Sequence, residues 1–442
     1  MVFSLFSPKL QALIKQRGFL EPTLPQVLGV PEILSGKNVL IIAPTGSGKT
    51  EATCLPLFDA IQREQLKPIS MLYINPLRSL SRDLLDRLVW WADKLDLNIA
   101  VRHGDVGAKE RAIQREVPPH ILILTPETLG AILTGKKMRE HLRNVRYVVI
   151  DEIHELIESK RGAQLSLILE RLREVAGEYK RIGLSATVGN PQMVADFIGS
   201  AKIIRAEMTK KYEINVQSPH PGLKDRAVAD DLAIGLETTA RLRRIHELIQ
   251  SHKSVLVFTN TRETAEVLAS RLRSLDRNLK HDVHHGSLSK ERRIRSEHLF
   301  KTQQLKSLIA TSSLELGIDI GSIDLVVQYM SPRQVSKLIQ RVGRAGHSVG
   351  ETSKGVILSG DEDVFESAVI AQRAMNKQLE VPRFHEKALD VLAGQIIGIT
   401  LDMNDATEDQ AYSIVTRAYP YRTLDRKEFN EIVQFLESLH LV

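Results

Sequence analysis

The chain has 442 residues, enough for two or three domains that each bury a core of their own. Hydrophobic residues make up 43% and charged residues 26%, no apolar run reaches eighteen residues, and Cys54 is the single cysteine; a disordered chain, a helical membrane span, an internal disulfide and a four-ligand zinc site are excluded. The net charge of +6, from 60 basic and 54 acidic residues, suits a phosphate-rich partner without requiring one.

The apolar start, residues 1–6, meets Lys9, Lys15 and Arg17 too soon for a secretion signal, so a reducing cytoplasm is the expected compartment. Short apolar, β-branched runs then alternate with longer stretches of helical period, the pattern of an α/β fold with a mostly parallel sheet. The expected strands are 39–43, 71–75, 121–125, 147–150 and 180–185. Residues 217–225, with two prolines and a glycine, read as a linker. A second α/β series follows at 254–259, 279–284, 306–311, 323–328 and 355–358. From Pro382 the pattern is helical, over 385–399, 407–418 and 426–439. These give expected modules of 1–210, 211–381 and 382–442. Ligands of open parallel sheets lie outside the carboxyl ends of the strands, so the motifs there carry the chemistry.

Ala43-Pro44-Thr45-Gly46-Ser47-Gly48-Lys49-Thr50 follows a strand and opens a helix. Its glycines let backbone N–H groups close on phosphate oxygens at a helix N-terminus. Lys49 suits the β- and γ-phosphates of ATP and Thr50 suits Mg²⁺. Asp151-Glu152-Ile153-His154 ends the strand 147–150. Phosphoryl transfer to water needs a carboxylate beside the metal, here Asp151, and a group that orients water, here Glu152. Gln340-Arg341-Val342-Gly343-Arg344-Ala345-Gly346-His347 offers two arginines on a glycine-tightened segment, suited to an arginine finger reaching the γ-phosphate; a solvent-exposed cationic helix start is the bland alternative.

Together these segments resemble the ordered motifs of superfamily-two helicases. Phe19, Thr23 and Gln26 resemble the adenine-reading Q motif; residues 43–50 and 151–154 are similar to motifs I and II. Ser185-Ala186-Thr187 resembles motif III, which with His154 implies coupling of hydrolysis to strand binding. The stretch 256–262 resembles motif IV, 311–319 motif V and 340–347 motif VI. Lys160-Arg161-Gly162, Ser331-Pro332-Arg333, Gly343–His347 and the tail, with Asp409-Gln410-Ala411-Tyr412 and Ala418-Tyr419-Pro420-Tyr421, are similar to the Lhr (large helicase-related) family.

The resemblance implies two tandem RecA-like lobes followed by a small, partial winged-helix module. It implies nucleotide contacts at Phe19, Gln26, Thr45, Gly46, Ser47, Gly48, Lys49, Thr50, Gly317, Asp319, Arg341 and Arg344, with Gln340 also at the catalytic centre. Strand contacts are implied at Pro76, Arg78, Gly104, Thr125 and Pro126, and at Thr259, Asn260, Arg262, His285, Gly286, Thr311 and Ser312. These are small, hydroxyl and amide groups, suited to phosphates and hence to sequence-independent binding of single-stranded DNA or RNA, or of a duplex or hybrid with a 3′ overhang. His347 stands where many superfamily-two enzymes carry arginine, which leaves Arg344 as the main finger candidate.

Trp91 reads as core on an amphipathic helix, and the basic runs 241–244 and 292–295 read as solvated faces. Only about twenty residues separate Asp319 from Gln340, little room for a long strand-separating hairpin. Three functions are open: a 3′-to-5′ helicase, an ATP-gated clamp or annealing factor, and a non-catalytic scaffold. Intact Lys49, Thr50, Asp151, Glu152 and Arg344 argue against the last.

Overall fold

The structure, a computed structural model, describes the chain except Met1, Thr45, Leu77, Asp105, 207–210, 316–319, 347–351 and Asn404, and except the side chains of 78–83. The expected contacts at Thr45, Gly317 and Asp319, the Arg78 side chain and His347 therefore lie outside the described residues. The chain divides into two compact units, Met1–Met208 with Val381–Val442, and Thr209–Glu380.

The first unit carries β1 (Val39–Ile42), β2 (Met71–Ile74), β3 (Ile99–Arg102), β4 (Ile121–Leu124), β5 (Tyr147–Ile150), β6 (Lys180–Ser185) and β7 (Lys202–Arg205). They form one sheet in the order β3-β4-β2-β5-β6-β1-β7. The second unit carries β8 (Tyr212–Gln217), β9 (Val255–Phe258), β10 (His281–His284), β11 (Ser307–Ala310), β12 (Leu325–Tyr329) and β13 (Ser353–Leu358), in the order β10-β11-β9-β12-β13-β8. Every pairing is parallel. Helices cover both faces of each sheet, so inner strands such as Val39–Ile42, Ile121–Leu124 and Val255–Phe258 are buried at every residue, which is why they are continuous apolar runs.

Three strands escape the sequence pattern, β3, β7 and β8, and all three are sheet edges. An edge strand is half covered, so Lys202–Arg205 and Tyr212–Gln217 each bury one residue, Ile204 and Ile214, and lack the apolar run. β8 also corrects the linker. It precedes residues 218–222 and already belongs to the second sheet, paired with β13. The basic run 241–244 needs correction too: Arg241 is buried, and Arg243 and Arg244 pair with Asp225 and Glu247 on their own unit. Arg292 and Arg295 stand on an exposed face, as read.

The C-terminal segment forms helices Leu389–Met403, Glu408–Arg417 and Arg426–Ser438. Thr407 Oγ1 accepts the Gln410 N–H at 3.3 Å and Asp425 Oδ1 accepts the Glu428 N–H at 2.8 Å, so two of the three start at side-chain caps. Leu392, Ile396, Ile414, Val415, Phe429 and Leu436 pack together and against Ala163 and Leu167 of helix Lys160–Ala176 in the first unit. Arg171 of that helix is the polar anchor. Its Nε meets Asp402 Oδ2 at 2.8 Å, and its other nitrogens donate to Gln395 Oε1 and the Gly398 carbonyl at 2.7 and 3.3 Å. A Cβ at position 398 would lie 2.5 Å from the guanidinium, so a larger residue there would displace Arg171 from its present position. Residues 320–339, all described, contain β12 and the start of helix Val335–Val342 and no strand-separating hairpin.

Candidate functional site

β1 ends at Ile42, and helix Lys49–Glu64 begins seven residues later. Between them Gly46 and Gly48 hold φ of 77° and 88°, left-handed values that β-carbons disfavour and that fold the loop back over the helix N-terminus. Lys49 is buried, and its Nζ donates to the carbonyls of Ala43 and Pro44 at 2.6 and 3.1 Å. Ser47 Oγ donates to the Pro44 carbonyl at 2.7 Å. The lysine is thus parked across the mouth of its own loop. Gln26 is buried in helix Leu24–Leu34, takes the Thr23 N–H on Oε1 at 2.9 Å, and lies against the loop: a Cβ on Gly48 would stand 2.9 Å from Thr23 Oγ1 and 3.5 Å from Gln26 Nε2. Phe19 is half-buried and packs against Trp91 with its ring tilted by 48° and the centroids 5.6 Å apart, and Trp91 is core, as read.

Asp151 and Glu152 follow β5 directly. Tyr73 of β2 donates its hydroxyl to Asp151 Oδ2 at 2.8 Å, and the Glu152 N–H donates to Oδ1 at 2.9 Å. Burial, with the Glu152 carboxylate beside it, pushes the Asp151 carboxyl up to about 6, against the opposing pull of the Tyr73 hydrogen bond and the Lys49 ammonium. Glu152 is buried and holds φ of 45°, a left-handed value for a residue with a β-carbon, which costs on the order of 1–3 kcal/mol and persists only where neighbours enforce it.

His154 connects this pair to motif III. Its Nδ1 accepts the Ala186 N–H at 3.4 Å and faces Ser185 Oγ at 3.2 Å. An accepting Nδ1 puts the proton of the neutral ring on Nε2, which faces Glu152 Oε2 and Glu155 Oε1, each at 3.6 Å. Ser185 and Ala186 thus hold the imidazole through Nδ1, while Nε2 lies near Glu152 without a hydrogen bond to it. Thr187 follows in the same loop.

In the second unit the arginines are engaged. Arg341 lies in helix Val335–Val342 and is buried. Its Nε donates to Glu315 Oε1 at 2.6 Å, and one terminal nitrogen donates to Gln328 Oε1 at 2.5 Å and Asn260 Oδ1 at 3.1 Å. The guanidinium stands 5.3 Å from the Phe258 ring centroid. Arg344, also buried, donates to the Glu315 carbonyl at 2.7 and 3.2 Å. Both therefore converge on Glu315 within their own unit, and the solvent-exposed cationic helix start is excluded. A Cβ on Gly343 would meet the Ile339 carbonyl at 2.7 Å, which accounts for the glycine between them. Gln340 is half-buried on the same helix.

The residues expected to hold a strand fall on three neighbouring strands in each sheet. In the first, Pro76, Gly104 and Thr125-Pro126 follow β2, β3 and β4, which lie side by side. In the second, Thr259-Asn260, His285-Gly286 and Thr311-Ser312 follow β9, β10 and β11, also side by side. Several of these groups are held from within: Asn260 Nδ2 donates to the Ser331 carbonyl at 2.8 Å, His285 Nε2 meets Glu266 at 2.8 Å, and Arg262 bonds Glu263 and Ser287 at 2.7 and 2.9 Å. The phosphate loop and Asp151 use the other flank of the first sheet, after β1 and β5, and Arg341 and Arg344 follow β12 on the other flank of the second.

Comparison with known proteins agrees with this layout. Residues 23–194 match the DEAD/DEAH box helicase family, 239–348 the helicase conserved C-terminal domain, and 372–439 the winged-helix domain of large helicase-related proteins. The chain is similar to the ATP-dependent helicase Lhr-Core of Sulfolobus acidocaldarius, 38% identical over 98% of this chain and 52% of that one. It belongs to the large helicase-related family. The Escherichia coli Lhr helicase/uracil glycosylase is 35% identical, over 96% of this chain and 32% of its own. Among solved structures, the Mycobacterium smegmatis helicase Lhr bound to ssDNA and AMP-PNP matches with a TM-score of 0.86 and 35% identity, covering 98% of this chain and 58% of that one. The chain spans about half the length of the Lhr-Core relatives it matches. Its fold is that of two RecA-like lobes with the Lhr winged-helix domain.

Within this Lhr core, sequence reading missed Tyr73, Gln328 and Glu315 as partners of the site. Tyr73 sits inside a buried strand and reaches Asp151 only because β2 pairs with β5. No local pattern announces that. Mg²⁺ keeps several waters and takes one or two protein oxygens beside the phosphates. A buried carboxylate raised to about 6, with a hydroxyl at the first turn of the phosphate-loop helix, fits such an ion. Asp151 and Thr50 would hold it.

Proposed function

We propose that this Lhr core is a nucleic-acid-stimulated ATPase that couples hydrolysis of Mg-ATP to movement along a single strand, 3′-to-5′, and to opening of a duplex or hybrid. The observation that carries it is the clustering of a phosphate loop with its lysine, the adjoining carboxylates Asp151 and Glu152, and His154, which lies 3.6 Å from Glu152 and bonds motif III through Nδ1. Lys49 leaves the Ala43 and Pro44 carbonyls for the β- and γ-phosphates. Glu152 orients the attacking water and takes its proton. Mg²⁺, when bound, neutralises charge developing on the phosphate oxygens. Arg344 exchanges the Glu315 carbonyl for the γ-phosphate during turnover. His154, lying between Glu152 and motif III, relays the state of the strand to the water-orienting carboxylate. Single strands are held through their phosphates at the ends of β2, β3, β4, β9, β10 and β11, without base readout.

Three modules, 1–210, 211–381 and 382–442, are the proposed working parts, acting in the cytoplasm. An ATP-gated clamp or annealing factor is the second reading, favoured by the lack of a hairpin in residues 320–339. The test is ATP turnover with and without single strands, beside strand displacement on DNA, RNA and hybrid duplexes carrying 3′ or 5′ overhangs. Stimulation and displacement from 3′ overhangs support the first reading, stimulation without displacement the second. Turnover indifferent to strands sinks both.

A further inference from the structure

Helix Val335–Val342, which carries Gln340 and Arg341 and leads into Arg344, begins in an unusual way. Gln334, at its N-cap, makes no side-chain cap bond. The first two helical N–H groups go instead to one distant carboxylate: Val335 to Glu380 Oε1 at 2.6 Å and Ser336 to Glu380 Oε2 at 3.1 Å. A carboxylate gripping two amides at a helix N-terminus also meets the favourable end of the helix dipole. Burial pushes the Glu380 carboxyl up, but these N–H groups outweigh that and hold it below the ordinary range.

The turn before the helix is held from outside in the same manner. Met330 and Arg333 have φ of 63° and 67°, left-handed values at two residues with β-carbons within four positions. Asp363 takes the Ser331 N–H and the Gly360 N–H, Asn260 donates to the Ser331 carbonyl at 2.8 Å, and Ser331 Oγ takes the Arg333 N–H at 3.1 Å. Backbone conformations of this kind survive where surrounding groups over-determine them, and they collect where a side chain must be aimed. Asn260 links the turn to the arginine, since its other amide atom accepts from Arg341. Glu380 differs from the other pins in its place along the chain. It is the last residue of the second unit; from Val381 onward the chain belongs to the first.

We propose that Glu380 is a positioning residue for ATP hydrolysis, which holds the first turn of helix Val335–Val342 so that Arg344 meets the γ-phosphate in register, and which ties that helix to the point where the chain leaves the second unit. The proposal rests on the ATPase reading above. It assigns Glu380 no contact with ATP or strand. Its signature is a loss in turnover without a loss in binding, because a finger misplaced by about 1 Å can cost about 10²-fold in rate.

The experiment compares the whole chain with Glu380→Ala and Glu380→Gln for strand-stimulated kcat, KM for ATP, affinity for a fluorescent oligothymidylate and thermal midpoint, with Lys49→Ala as the blank. Glu380→Ala should lose at least about tenfold in kcat, with KM and oligothymidylate affinity within about twofold. Glu380→Gln keeps a neutral acceptor oxygen and should fall between alanine and the parent. Glu380→Ala with kcat within twofold of the parent, whatever its thermal midpoint, overturns the proposal. So does a loss of kcat accompanied by equal losses in KM and affinity. If Glu380→Ala does not fold, Glu380→Gln decides, and parental kcat there overturns the idea equally. Failure of the underlying reading shows up separately, as a parent chain no more active with strands than Lys49→Ala.

Discussion

The two halves of the proposed hydrolytic apparatus are built on opposite principles. Around the phosphate loop, backbone atoms bond both charged groups directly. Lys49 rests on two carbonyls of its own loop and Asp151 on one hydroxyl and one amide. Around helix Val335–Val342, side chains from four segments do the holding, with Glu315, Gln328 and Asn260 around Arg341 and Glu380 at the helix start, while Arg344 donates to the Glu315 carbonyl. A group parked on carbonyls is released by phosphate oxygens at little cost, since the arriving anion is the better partner. A buried arginine in a carboxylate–amide network is not. On the proposed reading the first half is a binding site in waiting, and the second is a rigid mount that carries Arg344 beside the networked Arg341.

The sharpest break of this comparison lies in the first half. Glu152→Gln should retain ATP binding and lose about 10³-fold in turnover, within the range for removing a general base. Lys49→Ala should lose binding as well, and nucleotide titration beside steady-state hydrolysis distinguishes the two. Near-normal turnover in Glu152→Gln would remove that residue from the chemistry.

The arginines sharpen the contrast within the second half. Arg344→Ala should lose at least about 10²-fold in turnover, with little change in thermal stability. Arg341→Ala strands the buried Glu315 carboxylate, and removing one partner of a buried pair costs about 3–5 kcal/mol. Its signature is a lowered unfolding midpoint in urea. If Arg341→Ala proves fully stable and catalytically dead while Arg344→Ala stays active, the two have exchanged roles.

A smaller effect probes the strand contacts proposed on each unit. With about four phosphate contacts, affinity for a single strand should fall about 50-fold between 50 and 200 mM salt, whatever its sequence. Binding indifferent to salt would rule out the phosphate-edge contacts after β2–β4 and β9–β11.

The smallest effect on turnover should come from the C-terminal module. Arg171→Ala leaves the buried Asp402 of helix Leu389–Met403 unpaired, and about 3–5 kcal/mol of stability should be lost. Strand-stimulated kcat should stay within about twofold, because the residues assigned to hydrolysis lie before Pro382. Limited proteolysis beside a turnover assay reads both.

Much of this was legible in the chain itself. The inner strands are buried on both faces and so must be apolar along their length, which marks them in the sequence and places the motifs at their carboxyl ends. The phosphate loop is a local object: its glycines, its lysine and the helix it opens are neighbours in sequence, and backbone conformation alone brings them together. Edge strands β3, β7 and β8 went unread: Lys202–Arg205 and Tyr212–Gln217 are broken by charged and polar residues on their uncovered side, and Ile99–Arg102 offers only three apolar residues. The partnerships that distinguish one arginine from the other were equally hidden. Glu315, Gln328 and Asn260 reach Arg341 from 26, 13 and 81 positions away, and Glu380 reaches the helix start from 45. Tyr73 meets Asp151 across 78 positions. Hydrogen bonds of that span depend on which strands lie side by side and where each helix returns, and the order of strands in a sheet is settled by packing the whole unit.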